Sequence, residues 1–477
     1  MEFKKAHFIG IAGAGMSGVA KLLREQGVVI TGSDQEVYPP ISTLLEREKI
    51  AWITPYAASN IPADADVIVI GKNAKLIPET NPEVAAAYES VQKNLPAGRR
   101  VLSFPEVLAE LSSGKETIVV AGSYGKSTST ALLAHCLVEA GLDPSFFIGA
   151  VPLSPSTNAH IGKGGLFVME GDEYPTSNTD PRSKFLLMHP THLLVTPLAH
   201  DHVNIFHTPE SYLKPFIELL ALPPEGATIV VCAEAAMSKD LLAKISRPTV
   251  TYGVHEGDFT AANIRWGEKT SFDIKRGDAL LARIETTLLG EHNIQNIVGV
   301  ATFLFSKQLI TPEQFARAVA TFRGIIRRLD KKSDKTLVPI FEGFGTSFEK
   351  AKSAVAAMKQ HFPTRRLVIV FEPHTFSWRN REALHWYDTV FLGAAQVLVY
   401  EPASQGATTH AQSTQEEIVA RIAASGTDAV AITSEEQTLA MLETELGEND
   451  CILLLTSGDL GGLIESIPKL AEQKFPK

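Results

Sequence analysis

The stretch "TIVVAGSYGKSTSTALLAHCLVEAG", residues 117–141, decides the fold. Its first five residues are mostly apolar and β-branched, as suits a buried strand. Glycines and small polar residues follow, and then apolar residues at helical spacing. A strand that feeds through a glycine turn straight into a helix is the repeating unit of a parallel α/β sheet. The same turn carries chemistry. Successive backbone N–H groups and a helix N-terminus face whatever lies above the turn, which suits phosphate oxygens. Lys126 can reach the β and γ phosphates, and the Ser127 hydroxyl can ligate Mg²⁺. The candidate nucleotide-binding residues are therefore Gly122, Ser123, Tyr124, Gly125, Lys126, Ser127 and Thr128. The pattern is incomplete, because Val120 stands where the first glycine of a full phosphate loop belongs. A tight turn with no ligand is the competing reading, and the strand–turn–helix context argues against it.

Upstream, "GIAGAGMSG" (10–18) joins the strand "AHFIGIA" to a helical run, and "VVITGSD" then ends in Asp34. A glycine-rich turn followed by an acid at the end of the second strand suits a dinucleotide. On that basis alone a nicotinamide oxidoreductase is one candidate, since Gly13, Gly15 and Gly18 let the backbone approach a pyrophosphate closely.

Downstream, two more strands end in polar clusters. "VMEGDEY" (168–174) places Glu170, Asp172 and Glu173 together, an arrangement that repels itself unless solvated or neutralised by a cation. Glu170 is the inward candidate for Mg²⁺. "LAHDHVNIFH" (198–207) supplies His200, Asp201, His202 and His207, but no third ligand at zinc spacing. His202 is better read as part of the same nucleotide and metal site, at the C-terminal edge of the sheet. In "LLGEHNIQN" (288–296), Asn293 and Asn296 share a helix face and could read a purine edge. In "GIIRRLD", Arg327 and Arg328 could reach phosphate.

The chain has 477 residues, enough for about three domains. A fresh strand–turn–helix unit begins near residue 113, and the basic segment "FRGIIRRLDKKSDKT" (322–336) reads as a linker. The expected domains are thus 1–113, 114–332 and 333–477. The last contains five β-branched runs separated by helices. The expected fold class is α/β, with Rossmann-like N- and C-terminal domains around a central P-loop domain. A net charge of −10 argues against a nucleic-acid surface, and no apolar run is long enough for a membrane helix. Cys136, Cys232 and Cys451 lie far apart in apolar segments, which suggests neither disulfides nor a metal site. No signal peptide is evident, so the expected location is cytoplasmic.

In order along the chain, the glycine turn, "GSYGKST", "MEGDEY", "HDH", "GEHNIQN" and "FRGIIRR" resemble the Mur ligases, the ATP-dependent amide-forming enzymes of bacterial cell-wall synthesis. Six spaced motifs together are far more specific than any one. The resemblance implies a UDP-binding domain, a central ATPase domain and a C-terminal acceptor-binding domain, with ATP and Mg²⁺ as cofactors. It assigns Lys126, Glu170 and His202 to catalysis, and Ser127, Glu170 and His202 to metal. Asn293, Asn296 and Arg328 are assigned to ATP. UDP-N-acetylmuramate would be held by Gly13, Gly15, Met16, Ser17, Ser33, Asp34, Asn73 and Arg182, and the acceptor by His374, Arg379 and Arg381. The partners implied are this donor and an amino acid or peptide acceptor, on a monomer or weak homodimer.

"GSDQEVYPPISTLLE", "EGDEYPTSNTDPRSKF" and "HDHVNIF" are most similar to members that add the tripeptide L-alanyl-γ-D-glutamyl-meso-diaminopimelate in recycling. "GIAGAGMSGVA" and "EPHTFS" are similar to members that add L-alanine, the alternative. Two departures stand out. Tyr124 replaces a histidine of the family's nucleotide turn. "FEGFGTSFEK" (341–350) replaces an Asp-Asp-aromatic stretch and a His pair, so Gly343 removes a carboxylate while Thr346 and Ser347 replace the histidines. A non-catalytic nucleotide-binding regulator is the remaining alternative.

Overall fold

The structure, a computed structural model, describes residues 3–37, 41–202, 205–401 and 411–477. Three sheets organise the described residues. The first is parallel, in the spatial order Val29–Ser33, Lys5–Ile9, Val67–Ile70, Arg100–Leu102. The second has ten strands. Its parallel centre runs Ile229–Cys232, His192–Val195, Glu116–Ala121, Leu166–Glu170, Ser145–Phe147. Central strands covered on both faces need apolar side chains on both, and all four residues of His192–Val195 and of Ile229–Cys232 are buried. At one end lie Phe259–Arg265, Thr270–Arg276 and Ala279–Thr286. The last two alternate buried and exposed positions, as expected of a half-solvated edge. The third sheet has six strands, all parallel except its first.

The strands pack into two compact units. One comprises the chain up to Asn263 with Asp273–Ile284 and Ile294–Phe322, and so contains the first sheet and the centre of the second. The other comprises Ile264–Phe272, Glu285–Asn293 and Arg323–Lys477. Within the first unit, the helix Ala14–Glu25 joins two sheets. Lys21 donates to the Ala159 carbonyl at 2.9 Å, and Glu25 accepts from the Ile161 N–H at 2.6 Å.

The expected break at 332/333 falls later than the start of the third sheet. Arg328–Lys331 is a strand antiparallel to Ile340–Phe344, with Asp330 opposite Glu342. The segment looked like a linker because it is rich in charge, but its charges are paired. Lys332 binds Glu342 at 2.8 Å and Asp330 at 3.5 Å. Among the described residues, no helix is long and apolar enough to cross a membrane.

Candidate active site

Parallel neighbours end at one edge of their sheet, so the three central strands deliver their following residues to one place. Glu116–Ala121 leads into the glycine turn and the helix Lys126–Glu139. Leu166–Glu170 ends on the first acid, and His192–Val195 runs toward His200–His202. At Gly125, φ is +83°, and a Cβ would lie 2.2 Å from Asn296 Oδ1. Only glycine fits there. Asn296 is therefore packed beneath the turn, where its Oδ1 also accepts from Ser129 Oγ at 3.3 Å.

The cation of the turn is already engaged. Lys126 Nζ donates to the Gly122 carbonyl at 2.5 Å and lies 2.7 Å from Glu173 Oε2. Glu173 is fully buried. Its other oxygen meets His202 Nε2 at 3.1 Å and Tyr212 Oη at 3.4 Å, and Tyr212 also bonds Ser123 Oγ at 2.7 Å. Burial alone would lower the His202 pKa, but the carboxylates of Glu173 and Asp201 outweigh that and raise it. Tyr174 packs edge-on against the same imidazole, 4.3 Å between centroids. Glu173 is thus a central residue that the sequence left undistinguished among three acids; its only signal was its place just past the strand end. Asp172 faces elsewhere, paired with Lys184.

Ser127 Oγ donates to Glu170 Oε1 at 2.8 Å, and the Gly149 N–H donates to Oε2 at 2.6 Å. A hydroxyl and a carboxylate at a helix N-terminus form an oxygen donor set that fits Mg²⁺ completed by substrate phosphates. Among the described residues, no group of three His, Cys, Asp or Glu is placed to hold a metal, and His200 Nε2 is bonded to the Phe206 carbonyl at 2.7 Å.

At the first sheet, Gly13 is the N-cap of Ala14–Glu25 in extended conformation. The other glycines of the turn are shaped by protein neighbours. A Cβ at Gly15 would meet the Phe104 ring at 3.2 Å, and one at Gly18 the Phe147 ring at 3.0 Å. Met16 and Ser17 are buried, and the Ser17 hydroxyl donates to the Ala14 carbonyl. Asp34 accepts from the Ala12 N–H at 2.8 Å and from Tyr56 Oη at 2.9 Å. Ser33 was expected beside a ligand, but its hydroxyl is turned into the core, onto Glu83. Asn73 caps its own loop through Lys75 N, and its carbonyl accepts from Asn178 at 2.8 Å. Arg182 is exposed and held by Asp180 at 2.6 Å.

In the C-terminal unit, Asn293 donates to the Leu289 carbonyl at 2.8 Å. Arg328 is exposed and lies close enough to His292 for their charges to interact. Glu342 is buried between Lys332 and Arg327 Nε, the latter at 3.1 Å. At Gly343 a Cβ would lie 2.9 Å from Leu455 Cδ2, so an apolar side chain fills the place of the missing carboxylate. His374 Nδ1 meets the buried Glu372 at 3.1 Å. Arg379 is buried, and Arg381 is exposed and paired with Glu417.

The family described as "Mur ligase family, catalytic domain" matches residues 5–116, and "Mur ligase middle domain" matches 120–304. A UDP-N-acetylmuramate–L-alanine ligase of Methylococcus capsulatus is 31% identical, over 100% of this chain and 98% of its own. The structure of a UDP-N-acetylmuramate-alanine ligase from Thermotoga maritima superposes with a TM-score of 0.76 at 22% identity, covering 98% of this chain and 99% of that one. That of a UDP-N-acetylmuramate:L-alanyl-γ-D-glutamyl-meso-diaminopimelate ligase from Neisseria meningitides has a TM-score of 0.59 at 30% identity, covering 68% and 99%. The chain belongs to the Mur ligase family, the ATP-dependent, ADP-forming amide ligases of peptidoglycan synthesis.

Proposed function

We propose that this protein joins the lactyl carboxyl of UDP-N-acetylmuramate to the amino group of L-alanine. The observation that carries the acceptor is the end-to-end similarity to relatives named for that reaction. A carboxylate is a poor acyl donor, and ATP supplies a leaving group by converting it to an acyl phosphate, which the amine then displaces. The protein's part is positioning and charge neutralisation.

Lys126, at the head of the turn, neutralises phosphate charge once it exchanges Glu173 for the nucleotide. Ser127 and Glu170 would hold Mg²⁺, with His202 serving a second ion; the metal supplies further neutralisation at the transferring phosphoryl group. Asn293, Asn296 and Arg328 are proposed for ATP. Asn296 acts at least through the glycine turn it supports. Gly13 and Asp34 are proposed for the donor, and His374 and Arg379 for the acceptor.

A tripeptide acceptor, the first expectation from sequence, is the second reading. It is favoured by the 30% identity to the tripeptide-adding ligase of known structure. The deciding assay supplies ATP, Mg²⁺ and UDP-N-acetylmuramate with L-alanine and the tripeptide in competition, and identifies products by mass. A predominant L-alanine adduct is expected; a predominant tripeptide adduct reverses the assignment. Phosphate release that needs neither donor nor amine would remove the ligase reading altogether.

A further inference from the structure

Beneath the first sheet's ligand edge lies a carboxylate with no part in the chemistry above. Glu83, in the first turn of the helix Pro82–Gln92, is fully buried, as is His7 beside it. Each of its oxygens takes two donors. Oε1 accepts from Ser33 Oγ at 2.6 Å and meets His7 Nε2 at 2.7 Å. Oε2 accepts from the Ala57 N–H at 3.0 Å and from Asn60 Nδ2 at 2.9 Å. His7 in turn meets Thr31 Oγ1 at 2.8 Å. Burial opposes the charged form, but these hydrogen bonds prevail and hold the carboxyl below its ordinary range.

The partners reveal what the network holds. Ser33 precedes Asp34, and Ala57 follows Tyr56. Asp34 and Tyr56 bond each other at 2.9 Å, and the second oxygen of Asp34 fixes the Ala12 N–H of the glycine turn. One buried carboxylate therefore ties the end of the second strand to the loop carrying Tyr56. That ring, with Gln35, Lys75 and Thr80, lines a cleft of about 200 Å³.

We infer that Glu83 is a positioning residue for the donor nucleotide, setting the Asp34–Tyr56 pair without touching the ligand. The inference rests on the reading of the first sheet as the seat of UDP-N-acetylmuramate. Glu83→Gln removes the charge and leaves one acceptor oxygen where the carboxylate had bonded Ser33, His7, Ala57 and Asn60 through two, so it should loosen the tie between the Tyr56 loop and the strand end.

The test is calorimetric titration of the whole protein, with Mg²⁺, separately by UDP-N-acetylmuramate and by ATP. In Glu83→Gln, donor affinity should fall about tenfold while ATP affinity stays within about twofold. Equal loss for both ligands, or no loss for either, overturns the inference. If Glu83→Gln does not fold, Asn60→Ala and Tyr56→Phe decide. Each leaves the buried Glu83–His7 pair intact and should weaken only the donor, by about threefold; unchanged donor affinity in both overturns the inference. Failure of the unaltered protein to bind UDP-N-acetylmuramate overturns the donor reading itself.

Discussion

Lys126 Nζ lies 2.7 Å from Glu173 Oε2, and the carboxylate is fully buried. The pair holds the cation of the glycine turn inside the protein, so the lysine proposed for ATP also neutralises a buried charge. Lys126→Ala should abolish donor-dependent phosphate release. It should also lower stability by about 1–3 kcal/mol, because the carboxylate loses its cation while keeping His202 and Tyr212. Adding Glu173→Gln should recover the melting temperature without recovering turnover. Phosphate-release assays and thermal melts separate the two effects, and retained turnover in Lys126→Ala would count against the nucleotide turn.

His202 is held by Glu173 on one side and Tyr174 on the other. His202→Ala should raise the Mg²⁺ concentration needed for half-maximal activity and cost about 1 kcal/mol of stability, because Glu173 loses one partner but keeps Lys126 and Tyr212. An unaltered Mg²⁺ titration would remove the residue from the metal site.

Asp330 is carried upward to about 6, first by burial and also by the charge of Glu342, from an ordinary value of 3.8. Between these two values the folded state holds a proton that the unfolded chain has released. Stability from this group therefore falls as pH rises through that window, and the loss is complete above about 6. Asp330→Asn should raise stability at pH 7.5 by about 1–2 kcal/mol and leave it unchanged near pH 4. Denaturant titrations at the two pH values test the sign; a gain at the acid end only would contradict it.

Gly343→Asp restores the carboxylate usual in the family but directs its side chain at Leu455, which is fully buried. Overpacking of this kind costs about 1–3 kcal/mol, and Gly343→Ala should cost less, since a leucine tip can yield. Urea unfolding of both variants checks the order.

The parts legible in the sequence were local ones. The glycine turn, Lys126 and Ser127 follow a strand by a few residues and Glu170 ends one, so strand–turn–helix logic reached them. What escaped depended on contacts distant in sequence. Nothing near Asn296 shows that Gly125 presses against it. Ser33 looks like a ligand-facing hydroxyl until Glu83 arrives from another helix. The third sheet's first strand was hidden because Asp330 and Lys332 look solvated, and nothing nearby shows that Glu342, from the neighbouring strand, pairs with Lys332. Among the three acids after residue 169, the strand pattern identified the one facing Ser127 but not the one facing Lys126.

The helix Ala14–Glu25 begins at the glycine turn and ends with Lys21 and Glu25 bonded to the segment 159–161 of the second sheet. Cutting the chain near residue 113 would strand a buried lysine and expose the face of Gly18 that fits against the Phe147 ring. The N-terminal segment is consequently not a portable module. In chimaeras between relatives, a donor-binding half should travel with the ring of Phe147 and the backbone of Ala159, and grafts that split them should express poorly however well the sequence boundary is chosen.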